Sequence, residues 1–159
     1  MHSATHFVTA FTLSYILVSK LVPLEVIIVW SLLFGVFVDL DIVLGSIYRS
    51  RKGFLRTCFQ EPFGLLVGGL PLALASTYIF NNWAYSLLVL VPWGSHIVLD
   101  YLAVREVRPL LPFSEKKILV GFFRPILHKR SICPTNTCIS EWWFLSFSIV
   151  IMFVVLAVL

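Results

Sequence analysis

Charge is the scarcest commodity in this chain. Asp, Glu, Lys and Arg supply 13% of the 159 residues, whereas 59% are hydrophobic and the mean hydropathy is +0.95. Soluble domains carry about 25% charged residues, so this balance excludes an ordinary water-soluble globule and points to lipid as the solvent. Cysteine is nearly absent too. Cys58, Cys133 and Cys138 all fall in connections assigned below to the cytoplasm, where thiols stay reduced, so no structural disulfide is expected. No internal repeat or low-complexity tract is visible. At this length there is room for about five spans of ~20 residues and none for a second folded domain. An all-α polytopic bundle of about five transmembrane helices over residues 1–159 is the expected architecture.

Apolar spans are placed at roughly 5–22, 25–47, 63–80, 83–103 and 142–159, with a loop at 104–141. The first span carries Thr9, Thr12, Ser14 and Ser19, hydroxyls that can bond their own helix backbone in lipid. Read instead as a signal peptide, it lacks a basic leading region, and Leu24–Glu25 make a poor small-residue cleavage site, so it is treated as retained. Pro23 and Pro62 stand where helices start, while Pro71 and Pro92 fall inside spans as expected kinks. Gly68 and Gly69 allow another helix to approach closely.

Cations are missing from one side of this layout. Arg49, Arg51, Lys52 and Arg56 lie between the second and third spans; Arg105, Arg108, Lys116, Lys117, Arg124, Lys129 and Arg130 lie between the fourth and fifth. Only Lys20 lies on the other side. The positive-inside rule then puts the N-terminus and both basic loops in the cytoplasm of a multi-pass protein of the inner or plasma membrane. The net charge of +4 raises nucleic acid as a partner. Membrane lipid is the simpler one, because juxtamembrane cations orient the chain and attract anionic head groups. Phe122, Phe123, Trp142 and Trp143 fit interfacial anchors.

Against this scarcity, seven ionisable residues sit where spans reach the same cytoplasmic level: His6, Asp39, Asp41, Glu61, His96, Asp100 and Glu141. A carboxylate at the edge of hydrocarbon loses hydration, so it persists there only with a cation, a proton or a partner. His96 and Asp100 stand four apart in SHIVLDY, on one helix face about 6 Å from each other. Such a pair suits zinc, manganese or iron, or a plain His–Asp hydrogen bond. His2 and His6 repeat the spacing. Asp39 and Asp41 point about 200° apart on a regular helix, amid Val, Leu and Ile. Glu61 and Glu141 begin the third and fifth spans, where the helix dipole alone favours an acid. His128 with Cys133 and Cys138 matches no strong zinc spacing.

An N-terminal His, a DxD after an apolar span, an Arg-containing third motif, SHxxxD, a Pro-Phe motif and a late Glu occur here in that order. Together they resemble YdjM-like membrane proteins, which are described as inner-membrane, metal-dependent hydrolases, one member being described as LexA-binding. The resemblance spans about residues 2–145 and matches His6, the segment Val38-Asp39-Leu40-Asp41, Ser95 with His96 and Asp100, Leu110-Leu111-Pro112-Phe113, and Glu141. It departs at the third motif, HRGxTHS, which aligns with Leu55 to Glu61. Only Arg56 matches there, and Leu55 and Gln60 replace two histidines, so the motif is degenerate.

The family is grouped by resemblance with the zinc phospholipase C and nuclease helical fold, which implies phosphoester hydrolysis at clustered metals. On that implication His6, Asp39, Asp41, His96, Asp100 and Glu141 are metal ligands, for zinc ahead of manganese or iron. Glu61 is the base or a further ligand, and Arg56 holds an anionic, phosphoester or lipid-like substrate. Two other readings stay open: a non-catalytic member whose cluster is structural or docks a protein partner, and a small cation or proton transporter. Against transport, the outer halves of the spans offer only Ser, Thr, Lys20, Glu25 and Asn81-Asn82.

Overall fold

The computed structural model describes residues 3–36, 38, 60–102, 106–107, 113–114, 118–119 and 139–158. Within them the chain is a helical bundle: α1 (Ser3–Val18), α2 (Leu24–Val36), α3 (Pro62–Phe80), α4 (Ala84–Leu102) and α5 (Ile139–Val158). Four expected spans coincide with a helix to within a few residues. α2 starts where expected and is described as far as Val36; Asp39 and Asp41, further along that span, lie outside the described residues. In the loop, β1 (Glu106–Val107) pairs antiparallel with β2 (Ile118–Leu119), two residues each.

Local chemistry explains the two tight turns. Pro23 opens α2 by accepting from the Val26 and Ile27 amides at 3.1 and 3.2 Å, at a position where its missing N–H costs nothing. Asn81 ends α3 in the left-handed conformation (φ 49°), which Asn tolerates better than most residues. Asn82 then caps α4, its Oδ1 accepting from the Ala84 amide at 2.9 Å, while its Nδ2 donates to Leu21 O at 3.4 Å. That last bond puts both turns at the same end of the bundle. Phe11, Val18, Val22, Ile27, Ala84 and Leu88 form the apolar core at that end, and Met152 of α5 packs against it.

Inside α3 the kink expected at Pro71 takes a specific form. Leu65–Gly69 is a π-helical turn, and the Leu70 amide bonds back to Leu65 O. Proline has no N–H and its ring crowds the carbonyl four residues earlier, so the helix widens just before it. Trp93 packs beside Gly69, where an added Cβ would come within 3.3 Å of its ring.

α3 and α4 are each 19 residues long, with mean hydropathy 1.7 and 1.2, long and apolar enough to cross a membrane. α1, the described part of α2 and residues 145–158 of α5 are apolar but shorter. Leu66, Val67, Leu70, Leu74 and Ile79 of α3 face outward, as a lipid-facing surface requires.

Candidate metal centre

With both turns at one end, the start of α1, the last turn of α2, the start of α3 and the last turn of α4 gather at the other. The polar residues buried there are the ones an apolar bundle tolerates least. His6, on the second turn of α1, is 1% exposed; His96 and Asp100, one turn apart on α4, are 0% and 1% exposed. His6 Nε2 lies 3.3 Å from Asp100 Oδ1, and His96 Nε2 lies 3.9 Å from Asp100 Oδ2. The two imidazoles stack with centroids 3.9 Å apart and planes 20° from parallel. The His96–Asp100 distance is too long for a hydrogen bond, so the simplest use of their four-residue spacing is not made. Neither ring nitrogen of His6 makes a hydrogen bond among the described residues.

α2 decides the orientation of His96. Its Nδ1 is 2.9 Å from Gly35 O, and a carbonyl only accepts, so Nδ1 is the donor. In the neutral ring Nε2 therefore carries the lone pair, on the side of Asp100. A backbone carbonyl fixing one nitrogen so that the other can ligate is the usual support of a metal-binding histidine. Gly35 makes this approach possible, because a Cβ there would meet Ala10 Cβ at 2.8 Å and His6 O at 3.6 Å.

The donor set fits a divalent ion. Two imidazole nitrogens and a carboxylate oxygen are a three-ligand set found in hydrolytic zinc sites, with a fourth position left for water. Bonds of about 2.0–2.1 Å in a tetrahedron put neighbouring donors about 3.4 Å apart. One donor atom from each of His6, His96 and Asp100 already lies within 4.8 Å of the others.

Glu61 stands outside that trio. It is 0% exposed, precedes Pro62 at the head of α3, and accepts a hydrogen bond at Oε2 from the Tyr101 hydroxyl at 2.6 Å. Since Tyr101 follows Asp100, Glu61 is tied to the same end of α4 without being one of the three clustered donors. Asp39, Asp41 and Arg56 lie outside the described residues. Glu141 is on the first turn of α5. Because Met152, further along α5, lies at the opposite end, this turn points to the end that carries His6.

The model of the YdjM inner membrane protein family matches residues 1–159, the whole of the sequence. The chain belongs to that family. It is accordingly an inner-membrane protein by family. No curated protein and no solved structure matches it.

In this YdjM-family chain, sequence reasoning brought His6, His96 and Asp100 to one level but missed the residues that hold the site in place. Gly35 looks like one more small residue in an apolar span, and Tyr101 like an interfacial aromatic. The available signal for Tyr101 was its place beside Asp100 in SHIVLDY. Replacing Tyr101 by Phe removes a donor from a wholly buried carboxyl and is expected to destabilise the protein by about 1–3 kcal/mol. Thermal unfolding in detergent reads this directly; a Tyr101→Phe protein as stable as wild type shows that the bond carries no weight.

Proposed function

We propose that the chain is a multi-pass membrane protein whose cytoplasmic helix ends hold a divalent metal, zinc ahead of manganese or iron, for hydrolysis of a phosphoester or lipid-like substrate. The observation that carries this reading is the trio of buried donors, His6, His96 and Asp100, two of them from one turn of α4 and the third from α1. Three such groups in the apolar interior are costly unless a cation compensates the acid and uses the imidazole lone pairs. Bound there, the ion would polarise water and neutralise charge on phosphoryl oxygens. Asp39, Asp41 and Glu141 complete the ligand set in this reading. Glu61, held by the hydroxyl of Tyr101, takes or returns a proton in this reading, and Arg56 holds the anionic group of the substrate.

A second reading has support of its own. Gln60, 2% exposed, and Leu55 occupy the places of two histidines in the motif the family resemblance supplies, as in a member that keeps a metal for structure or for docking a partner. Against transport, among the described residues the opposite end is packed with Val18, Val22, Ile27, Ala84 and Leu88.

Metal analysis of the mildly purified protein beside His96→Ala tests the centre. About one or two divalent ions per wild-type chain, and fewer in the variant, are expected. A metal-free wild type that takes up no added zinc, manganese or iron removes the proposal. A phosphoesterase panel over phospholipids and generic esters then separates the two readings. Turnover that requires metal supports hydrolysis, and inactivity across the panel with metal bound supports the structural role.

A further inference from the structure

The π turn in α3 decides which way Glu61 points. Beyond that turn Ala73 and Ser76 face the bundle, both buried. A regular helix turns about 100° per residue, so, carried back from Ala73, it would set Leu66 within about 20° of the inward face and Glu61 about 120° away from Ala73. The observed order is the reverse: Leu66 is 63% exposed, whereas Gly64 is buried and Glu61 is 0% exposed. The inward stripe runs Glu61, Gly64, Gly69, Ala73 and Ser76, and its one long step, from Gly64 to Gly69, falls on the π turn Leu65–Gly69. A π turn holds one residue more than an α turn. It therefore rotates everything before it by about 100° and brings Glu61 to within about 20° of the direction of Ala73. Leu66 and Val67, both exposed, lie on the outer side of the widened turn. Pro71 is what keeps the turn wide, because it has no N–H to offer Val67 O and its ring crowds that carbonyl.

We propose that Pro71, through the π turn it imposes, is a positioning residue for Glu61: it turns the head of α3 so that this carboxylate faces Tyr101 on α4 rather than lipid. The proposal rests on the hydrolase reading only for the work of Glu61 as proton carrier. The rotation itself does not depend on metal.

The test uses the full chain in nanodiscs with Cys58, Cys133 and Cys138 replaced by Ser, and reads the reaction of a single thiol with N-ethylmaleimide. The thiol is placed by Glu61→Cys, before the turn, or by Ala73→Cys, beyond it. Pro71→Ala lets the helix close and turns position 61 outward. Deleting Val67 with Pro71 kept removes a residue from a turn that the proline still holds open, and rotates the head away in the other sense. The two changes together leave a regular helix whose inward stripe is again in phase. Either single change is therefore expected to speed reaction at position 61 by about tenfold or more, and the combination to restore protection. The thiol at position 73 should stay protected throughout. Unchanged protection at 61 in Pro71→Ala overturns the proposal, and so does a combined variant that reacts there as Pro71→Ala does. Should a single variant fail to fold, shown by reaction at 73, the combined variant decides: it should melt above either single change and protect both positions, and failure of either overturns the proposal. With Glu61 intact, Pro71→Ala should keep the metal of the trio but lose turnover by about a hundredfold or more, the usual share of a general base, and the combined variant should regain it. Rotation in a protein without metal-dependent turnover leaves the π turn account standing and removes the hydrolase reading. Full turnover in Pro71→Ala with position 61 exposed does the reverse.

Discussion

Gly35→Ala is expected to disturb this protein far more than one added methyl group suggests. Its Cβ would meet Ala10 Cβ at 2.8 Å, and neither atom is the end of a flexible chain that could swing aside. α1 and α2 must separate instead, at a cost of about 1–3 kcal/mol for overpacking. Helix propensity returns only about 0.5–1 kcal/mol for Gly to Ala, so the clash decides the sign. The same shift pulls Gly35 O from His96 Nδ1; if His96 binds metal as proposed, losing the group that orients it should weaken binding by roughly 10–100-fold. Gly69→Ala provides the comparison. There the close atom at 2.8 Å is Leu65 Cδ1, the tip of a side chain, and metal binding should be unchanged. Melting in detergent with zinc titration reads both effects, and a Gly35→Ala protein that melts and binds like wild type would refute the account of α2 as support for the centre.

The second large effect is expected at Asp100. It is the acid within 3.3 Å of His6 and 3.9 Å of His96, so on the proposed metal centre Asp100→Ala removes the anionic ligand and should reduce metal affinity by more than about a hundredfold, beyond the range for supporting residues. The readout is metal-linked stability. At a metal concentration a hundred times Kd, the wild type should gain about 2.7 kcal/mol. For a chain of this size that corresponds to roughly 5–11 °C in Tm. Asp100→Ala should gain nothing under the same conditions. If Asp100 serves instead only as an ion-pair partner of His6, the variant melts lower by the same margin with and without metal, and the wild type shows no metal-linked gain.

The two variants differ in how legible their positions were. Asp100 stands out in any reading of SHIVLDY, because a carboxylate at the end of an apolar span needs a partner. Gly35 does not stand out, since nothing local distinguishes it from Gly45 or Gly68, and its role comes from Ala10, His6 and His96 on two other helices. The helices follow the same division. α3 and α4 were readable from apolar runs bounded by Pro62, Asn81 and Asn82. The π turn at Leu65–Gly69 was foreshadowed by Pro71 only as a kink of unstated kind. Glu61 illustrates the limit from the other side. Its position before Pro62 suits a helix-dipole acid and a site residue equally, and the hydroxyl of Tyr101, on another helix, ties it to the end of α4 that carries Asp100.

Sequence alone determined the apolar, helical character of the chain, the family resemblance, and the ionisable residues worth looking for at the helix ends. Each of these depends on spacing along one chain segment or on the cost of placing charge in lipid, and both are local properties. Tertiary structure decided which of those residues meet. His6 and Asp100 are separated by most of the chain, and their 3.3 Å contact depends on how closely α1 and α2 approach α4, which the absence of a single Cβ at Gly35 permits.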